Sequence, residues 1–137
     1  YFAEVNDESL RQVAMIAEEQ TLPAGATLFR EDDKADSLYI VTDGELDVQY
    51  TLGNGELRTV DTVVAGELSM WSALVPPYKS TASGTARTEV TLIVLDAVKL
   101  RELCEVNHNL GFRILICLTK LLASRLEGAR VQLATVD

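Results

Sequence analysis

The sequence predicts a mainly β fold with flanking helices: an antiparallel jelly-roll β-barrel with an N-terminal helix and a long C-terminal helix. Three observations predict it. Between Thr27 and Leu95, short apolar runs with the period of a sheet are separated by turn residues at Asp43-Gly44 and Gly53-Asn54-Gly55. On either side of that region apolar residues recur at helical spacing instead. A chain of 137 residues with 47% hydrophobic content is one domain, 1–137, able to bury about two-thirds of its unfolded surface without a disulfide or metal.

The N-terminal helix is expected over about 7–20, where Leu10, Val13, Ala14 and Ala17 share a face and Asn6 or Asp7 caps the first turn. Pro23 and Gly25 end it, and the β-roll follows over about 24–95. Thr27-Leu28-Phe29 reads as a strand before the acidic turn Glu31-Asp32-Asp33, and Leu38 to Val41 as a buried strand. Leu46, Val48 and Tyr50 alternate with Glu45, Asp47 and Gln49, one face buried and one wet. Strands Leu57 to Val64, Thr81 to Ala86 and Val90 to Leu95 complete the roll, with a short helix Leu68 to Leu74 between the first two.

Helices over about 96–130 close the chain, the first capped by Asp96 and the second started by Asn107 or Asn109. On the second, the polar residues Arg113, Lys120, Ser124 and Glu127 form a narrow stripe, while Leu110, Ile114, Leu118, Leu121, Leu122 and Leu126 occupy much of the rest. Such a helix must bury two faces. A second copy of the same helix is the expected cover, giving a homodimer; the alternative is that the N-terminal helix covers the second face.

Charge and composition exclude several functions. The net charge is −9, and the acid excess lies in residues 1–68, which repels polyanions. With no basic run or aromatic-basic interleaving, no nucleic acid is expected to bind through this chain. The apolar stretch Ile114 to Leu118 is too short to span a bilayer and no charged-then-apolar leader opens the chain, so the expectation is a cytoplasmic domain with no membrane partner. Cys104 and Cys117 form no metal or disulfide pattern and read as buried free thiols. His108 is the only histidine, no nucleophile motif or acid–base carboxylate pair occurs, and an enzyme is not expected.

Val64-Ala65-Gly66-Glu67-Leu68-Ser69, followed by Ser80-Thr81-Ala82-Ser83-Gly84-Thr85-Ala86, resembles the phosphate-binding cassette of the cyclic-nucleotide-binding domains. The resemblance extends from about Leu10 to Ala129. It rests further on Leu22-Pro23-Ala24-Gly25, Leu28-Phe29-Arg30-Glu31, Ser37 to Val41 with Gly44 and Leu46, and Val94-Leu95-Asp96. In particular the chain is similar to the sensor half of the bacterial catabolite-activator-type regulators. That family holds a cyclic phosphate with backbone N–H groups at the mouth of a short helix, a ribose hydroxyl with a glutamate and the phosphate charge with an arginine.

The resemblance implies Gly66, Glu67, Leu68 and Ser69 as ligand residues, Glu67 either on the ribose or capping the helix. The family's Arg-x-Ala-(Ser/Thr)-Val-x-Ala, anchored on Ala82, Ser83 and Ala86, puts Ser80 where the arginine belongs. Lys79 could substitute only through irregular backbone; Thr81 completes the candidate set. Trp71 and Tyr78 are candidate pocket-lining residues that either stack on a ligand ring or fill its cavity. Asp32 stands where the family has a turn glycine, and Glu127, Gly128 and Ala129 stand where relatives meet the purine with a hydroxyl.

The implied function is a small-ligand-sensing regulatory domain signalling through the C-terminal helix. The ligand would be cyclic AMP, cyclic GMP or another small anion, with no cofactor required. One alternative is a degenerate jelly roll kept for dimerisation or protein interaction, and another is the sensor half of a transcription regulator whose DNA-binding part is absent from these residues.

Overall fold

The computed structural model describes residues 7–134. In order these form α1 (Asp7–Met15), β1 (Ala17–Leu22), β2 (Thr27–Phe29), β3 (Ser37–Asp43), β4 (Leu46–Thr51), β5 (Leu57–Val63) and β6 (Leu68–Ser69). A single 3-10 turn (Trp71–Leu74), β7 (Ser83–Ala86), β8 (Val90–Asp96), α2 (Ala97–Val106) and α3 (His108–Ala134) follow. Two four-stranded sheets of order β1-β8-β3-β6 and β2-β7-β4-β5 face each other, antiparallel throughout. Their inner positions supply the core, with Leu38, Val41, Leu46, Val63, Leu92 and Leu95 all buried. This is the expected jelly roll.

Three boundaries differ from expectation. The first helix stops at Met15, and residues 17–22 form a strand in register with β8 from Ala17 opposite Leu95 to Leu22 opposite Val90. The roll thus begins at Ala17: six ladder positions on β8 outweigh the helical spacing of Ala14 and Ala17, a tertiary override of local pattern. Asn6 lies outside the described residues. The helix expected over Leu68–Leu74 is instead β6, paired through Ser69 with Tyr39 and Leu68 with Ile40, followed by the 3-10 turn. Finally α3 runs on to Ala134.

Turns and caps follow the residues read for them. Gly44 has φ 86°, and a Cβ there would collide with the Glu89 carbonyl oxygen, so only glycine fits the β3–β4 turn. Asp32 adopts φ 71° where the turn glycine is replaced, a conformation that aspartate reaches more readily than most residues. Asp96 accepts from the Lys99 N–H at 2.9 Å to start α2, and Asn107 accepts from the Leu110 N–H at 3.1 Å to start α3. The Asn107 amide also donates to Ser9 Oγ at 2.7 Å and Gln12 Oε1 at 3.1 Å, which docks α1 onto the α2–α3 junction.

Because α1 is held at that junction, it does not cover the second face of α3. Leu110, Ile114 and Leu118 are buried against their own chain and Leu121 is half-buried, so these four expected seam residues belong to the core face. Phe112, Leu115, Leu122 and Leu126 remain exposed, Leu115 at 61% and Leu126 at 58%. Their spacing of three and four residues, through Thr119, forms one continuous seam with the coiled-coil period.

Candidate functional site

The left-handed conformation of Met70, φ 67° and ψ 49°, turns the chain from β6 into the 3-10 turn at Trp71. A second connection, Tyr78 to Ser80, runs beside residues 32–35: the Asp32 N–H donates to the Ser80 carbonyl at 2.9 Å, and the Ser80 N–H to the Asp33 carbonyl at 2.8 Å. Between these segments lies a hollow of about 70 Å³. It is bounded by the run 68–72, by 80–82, by side chains of β2, β4 and β5, and by Arg125 of α3.

Its lining is apolar at Phe29, Leu68 and Trp71, with hydroxyls at Ser69, Ser72, Ser80 and Thr81. Ser80 is buried, its hydroxyl donating to the Ala82 carbonyl. Arg125 is the one charged side chain in this lining, and it pairs with the Asp61 carboxylate of β5, each side chain 35% exposed. Asp61 also accepts from the Thr62 N–H at 2.8 Å. Sequence reading missed both partners, because a single arginine on a helix's polar side and an aspartate on a strand carry no signal until the fold brings them together.

The structure gathers only part of the candidate set. Leu68, Ser69, Trp71, Ser80 and Thr81 line the hollow; Gly66, Glu67, Tyr78 and Lys79 do not. Gly66, at φ 90°, and Glu67 form a β-turn four residues before the 3-10 turn, with the Glu67 N–H donating to the Val64 carbonyl at 3.0 Å. The Glu67 carboxylate accepts from the Val64 N–H at 2.9 Å, so it caps this turn rather than a helix. Leu68 and Ser69 sit in a strand, so their amides are not first-turn helix donors.

Lys79 is exposed and bridges to Lys34 along the chain. Tyr78 lies under the Arg101 guanidinium of α2, 4.0 Å from the ring centroid. Arg101 also donates to the Ala73 carbonyl and so braces the end of the 3-10 turn. Tyr39 of β3 stacks on Phe29 with centroids 6.0 Å apart, and burial pushes its phenol above the usual range. A wider, open apolar groove of about 510 Å³ runs between α2 and α3 at Leu74, Cys104 and Phe112, and holds none of the candidate ligand residues. Cys104 and Cys117 are half-buried rather than buried, and burial pushes the Cys104 thiol above its usual range.

The sequence profile of the cyclic nucleotide-binding domain matches residues 19–107. The chain belongs to the cyclic nucleotide-binding domain family. It is similar to the structure of a cyclic nucleotide-binding protein from Geobacter metallireducens, with 33% identity, 91% of this chain and 90% of that one covered, and a TM-score of 0.82. Similar too is the N-terminal domain of a transcriptional regulator from Streptomyces coelicolor A3(2), at 32% identity, 96% and 90% coverage and a TM-score of 0.71. The catabolite activator protein of Thermus thermophilus shares the fold, with 24% identity, a TM-score of 0.78 and 97% of this chain matched to 61% of that one. A search of curated protein sequences returned no match.

The hollow lies between the two segments that resemble the family's cassette, 64–69 and 80–86. No helix of the described residues is long and apolar enough to cross a membrane.

Proposed function

We propose that this domain is a regulatory sensor that takes a small anionic ligand in the hollow beneath α3, signals through α3, and pairs with a second copy along the exposed seam of that helix. One observation carries the reading. α3 contributes Arg125 to the hollow while Phe112, Leu115, Leu122 and Leu126 lie exposed along the helix. A ligand that moves the first moves the second, and it shifts the helix only by as much as it prefers one arrangement.

The mouth of the short helix is at Met70-Trp71, so we assign to these two residues the positions of the family's glycine and glutamate. With Ser80 at the arginine position, the cassette then lacks both charged contacts that hold a cyclic nucleotide. Losing such charge-assisted contacts costs about 1.5–3 kcal/mol each, or roughly tenfold to hundredfold in affinity. Cyclic AMP is therefore expected to bind weakly. Cys104 and Cys117 form no disulfide among the described residues, which suits a reducing compartment such as the cytoplasm. The role is one of binding rather than catalysis.

A second reading is favoured by the size of the hollow: about 70 Å³ against about 300–1,000 Å³ for typical ligand pockets. On that reading Met70 and Trp71 fill the space and the domain serves dimerisation alone. Native mass spectrometry with titration of cyclic AMP and cyclic GMP separates them. A dimer that retains a co-purified or added anion supports the sensor, and a dimer that binds none supports the closed module. A monomer at all concentrations overturns the helix seam in both. The sensor half of a transcription regulator is a further reading that the same dimer would suit, and the Streptomyces relative is the N-terminal domain of a transcriptional regulator.

A further inference from the structure

We infer that Arg125 is the residue that binds the ligand's anionic group, and that its ion pair with Asp61 is the latch this group must open. The inference rests on the site proposed above. Ser80 leaves the cassette side of the hollow without a cation, and Lys79 is turned out of it. Arg125 is the charged side chain that remains, and it comes from α3, with Ser69, Ser72 and Ser80 on the facing segments. A guanidinium offers planar, permanently charged donors suited to a phosphate or similar oxyanion.

The partner is displaceable. Asp61 sits on the edge strand β5, and both members of the pair are partly solvated. Water reaches both members of the pair, which weakens it, and exchanging the carboxylate for a ligand oxyanion leaves Arg125 neutralised throughout. The volume of the hollow makes the exchange structural: nothing of nucleotide size enters until α3 lifts from β5, and the pair joins those two elements. Ligand binding and release of the helix become one event.

Calorimetry tests this with cyclic AMP and, separately, inorganic phosphate, on wild type, Arg125→Gln, Arg125→Lys and Asp61→Asn, each verified as folded by thermal melting. Asp61→Asn removes the competing charge and keeps the acceptor for the Thr62 N–H, so it is expected to bind cyclic AMP about two- to fivefold tighter than wild type. Arg125→Gln is expected to lose about tenfold to hundredfold, with Arg125→Lys between. Phosphate following the same order assigns the contact to the anion itself; a response confined to cyclic AMP assigns part of it to the ring. Binding of cyclic AMP by folded Arg125→Gln as tight as by wild type overturns the inference and leaves the site standing. No binding of either probe by wild type or Asp61→Asn overturns the site, and the latch with it.

Discussion

Asn107 ties three segments with one side chain: its carbonyl oxygen caps α3 while its amide holds Ser9 and Gln12 of α1. Asn107→Ala is expected to cost about 1–3 kcal/mol, the loss of a cap together with the amide's hydrogen bonds to Ser9 and Gln12, and urea unfolding at constant m-value would measure it. The capping role was legible, because asparagine before an apolar-periodic run is a start signal; the contact with α1 was not, since it joins residues nearly a hundred positions apart. The cassette shows the opposite failure. Gly66-Glu67-Leu68 looks like a helix mouth in sequence, and a turn entering a strand has the same composition. Met70 carries no mark of its left-handed backbone, which glycine would have announced. Ser80→Arg alone is consequently expected to fail as a gain of function. It would force a guanidinium into a hollow of only about 70 Å³ lined by Met70 and Trp71 and lower the melting temperature without improving cyclic AMP binding, an outcome that melting and titration together would show.

Among the elements, the strands with an apolar run or an apolar–polar alternation were readable, and those held mainly by a neighbour were not. β3 announces itself by Leu38, Ile40 and Val41, all buried. β1, with the sequence Ala-Glu-Glu-Gln-Thr-Leu and only its two ends half-buried, owes its conformation to the β8 ladder. At the β3–β4 turn, Gly44→Ala should cost at least about 1–3 kcal/mol, since a positive φ and a backbone collision add, and thermal melting would register it. α3 separates cleanly into two faces. Leu115→Lys with Leu126→Lys is expected to give a folded monomer in light scattering. Leu118→Lys should instead unfold the domain, because it buries a charge against the roll. If the Leu115/Leu126 double variant remains dimeric, the seam is not where the copies meet. The two-faced character of α3 was legible from its narrow polar stripe; which leucines served which face depended on the helix's rotation, and composition does not encode that.

At the scale of the whole molecule, the fold is that of a cyclic nucleotide-binding domain, while the proposed assignment puts Met70 and Trp71 at the mouth of the short helix and Ser80 on the facing segment, where such domains hold their ligand, with Arg125 entering from α3. Met70 is itself buried in the core cluster beside Leu68 and Ala73, so the roll accommodates its side chain within the core. If this account is right, restoring the three cassette positions together should restore what each cannot alone, because glycine and glutamate at 70 and 71 vacate the volume that an arginine at 80 requires. The direct measurement is calorimetric titration of cyclic AMP into wild type and into Met70→Gly/Trp71→Glu/Ser80→Arg. The expected result is weak binding by wild type and a gain of at least about a hundredfold in the folded triple variant, from two charge-assisted contacts regained. Tight wild-type binding, or a folded triple variant that gains nothing, would contradict it.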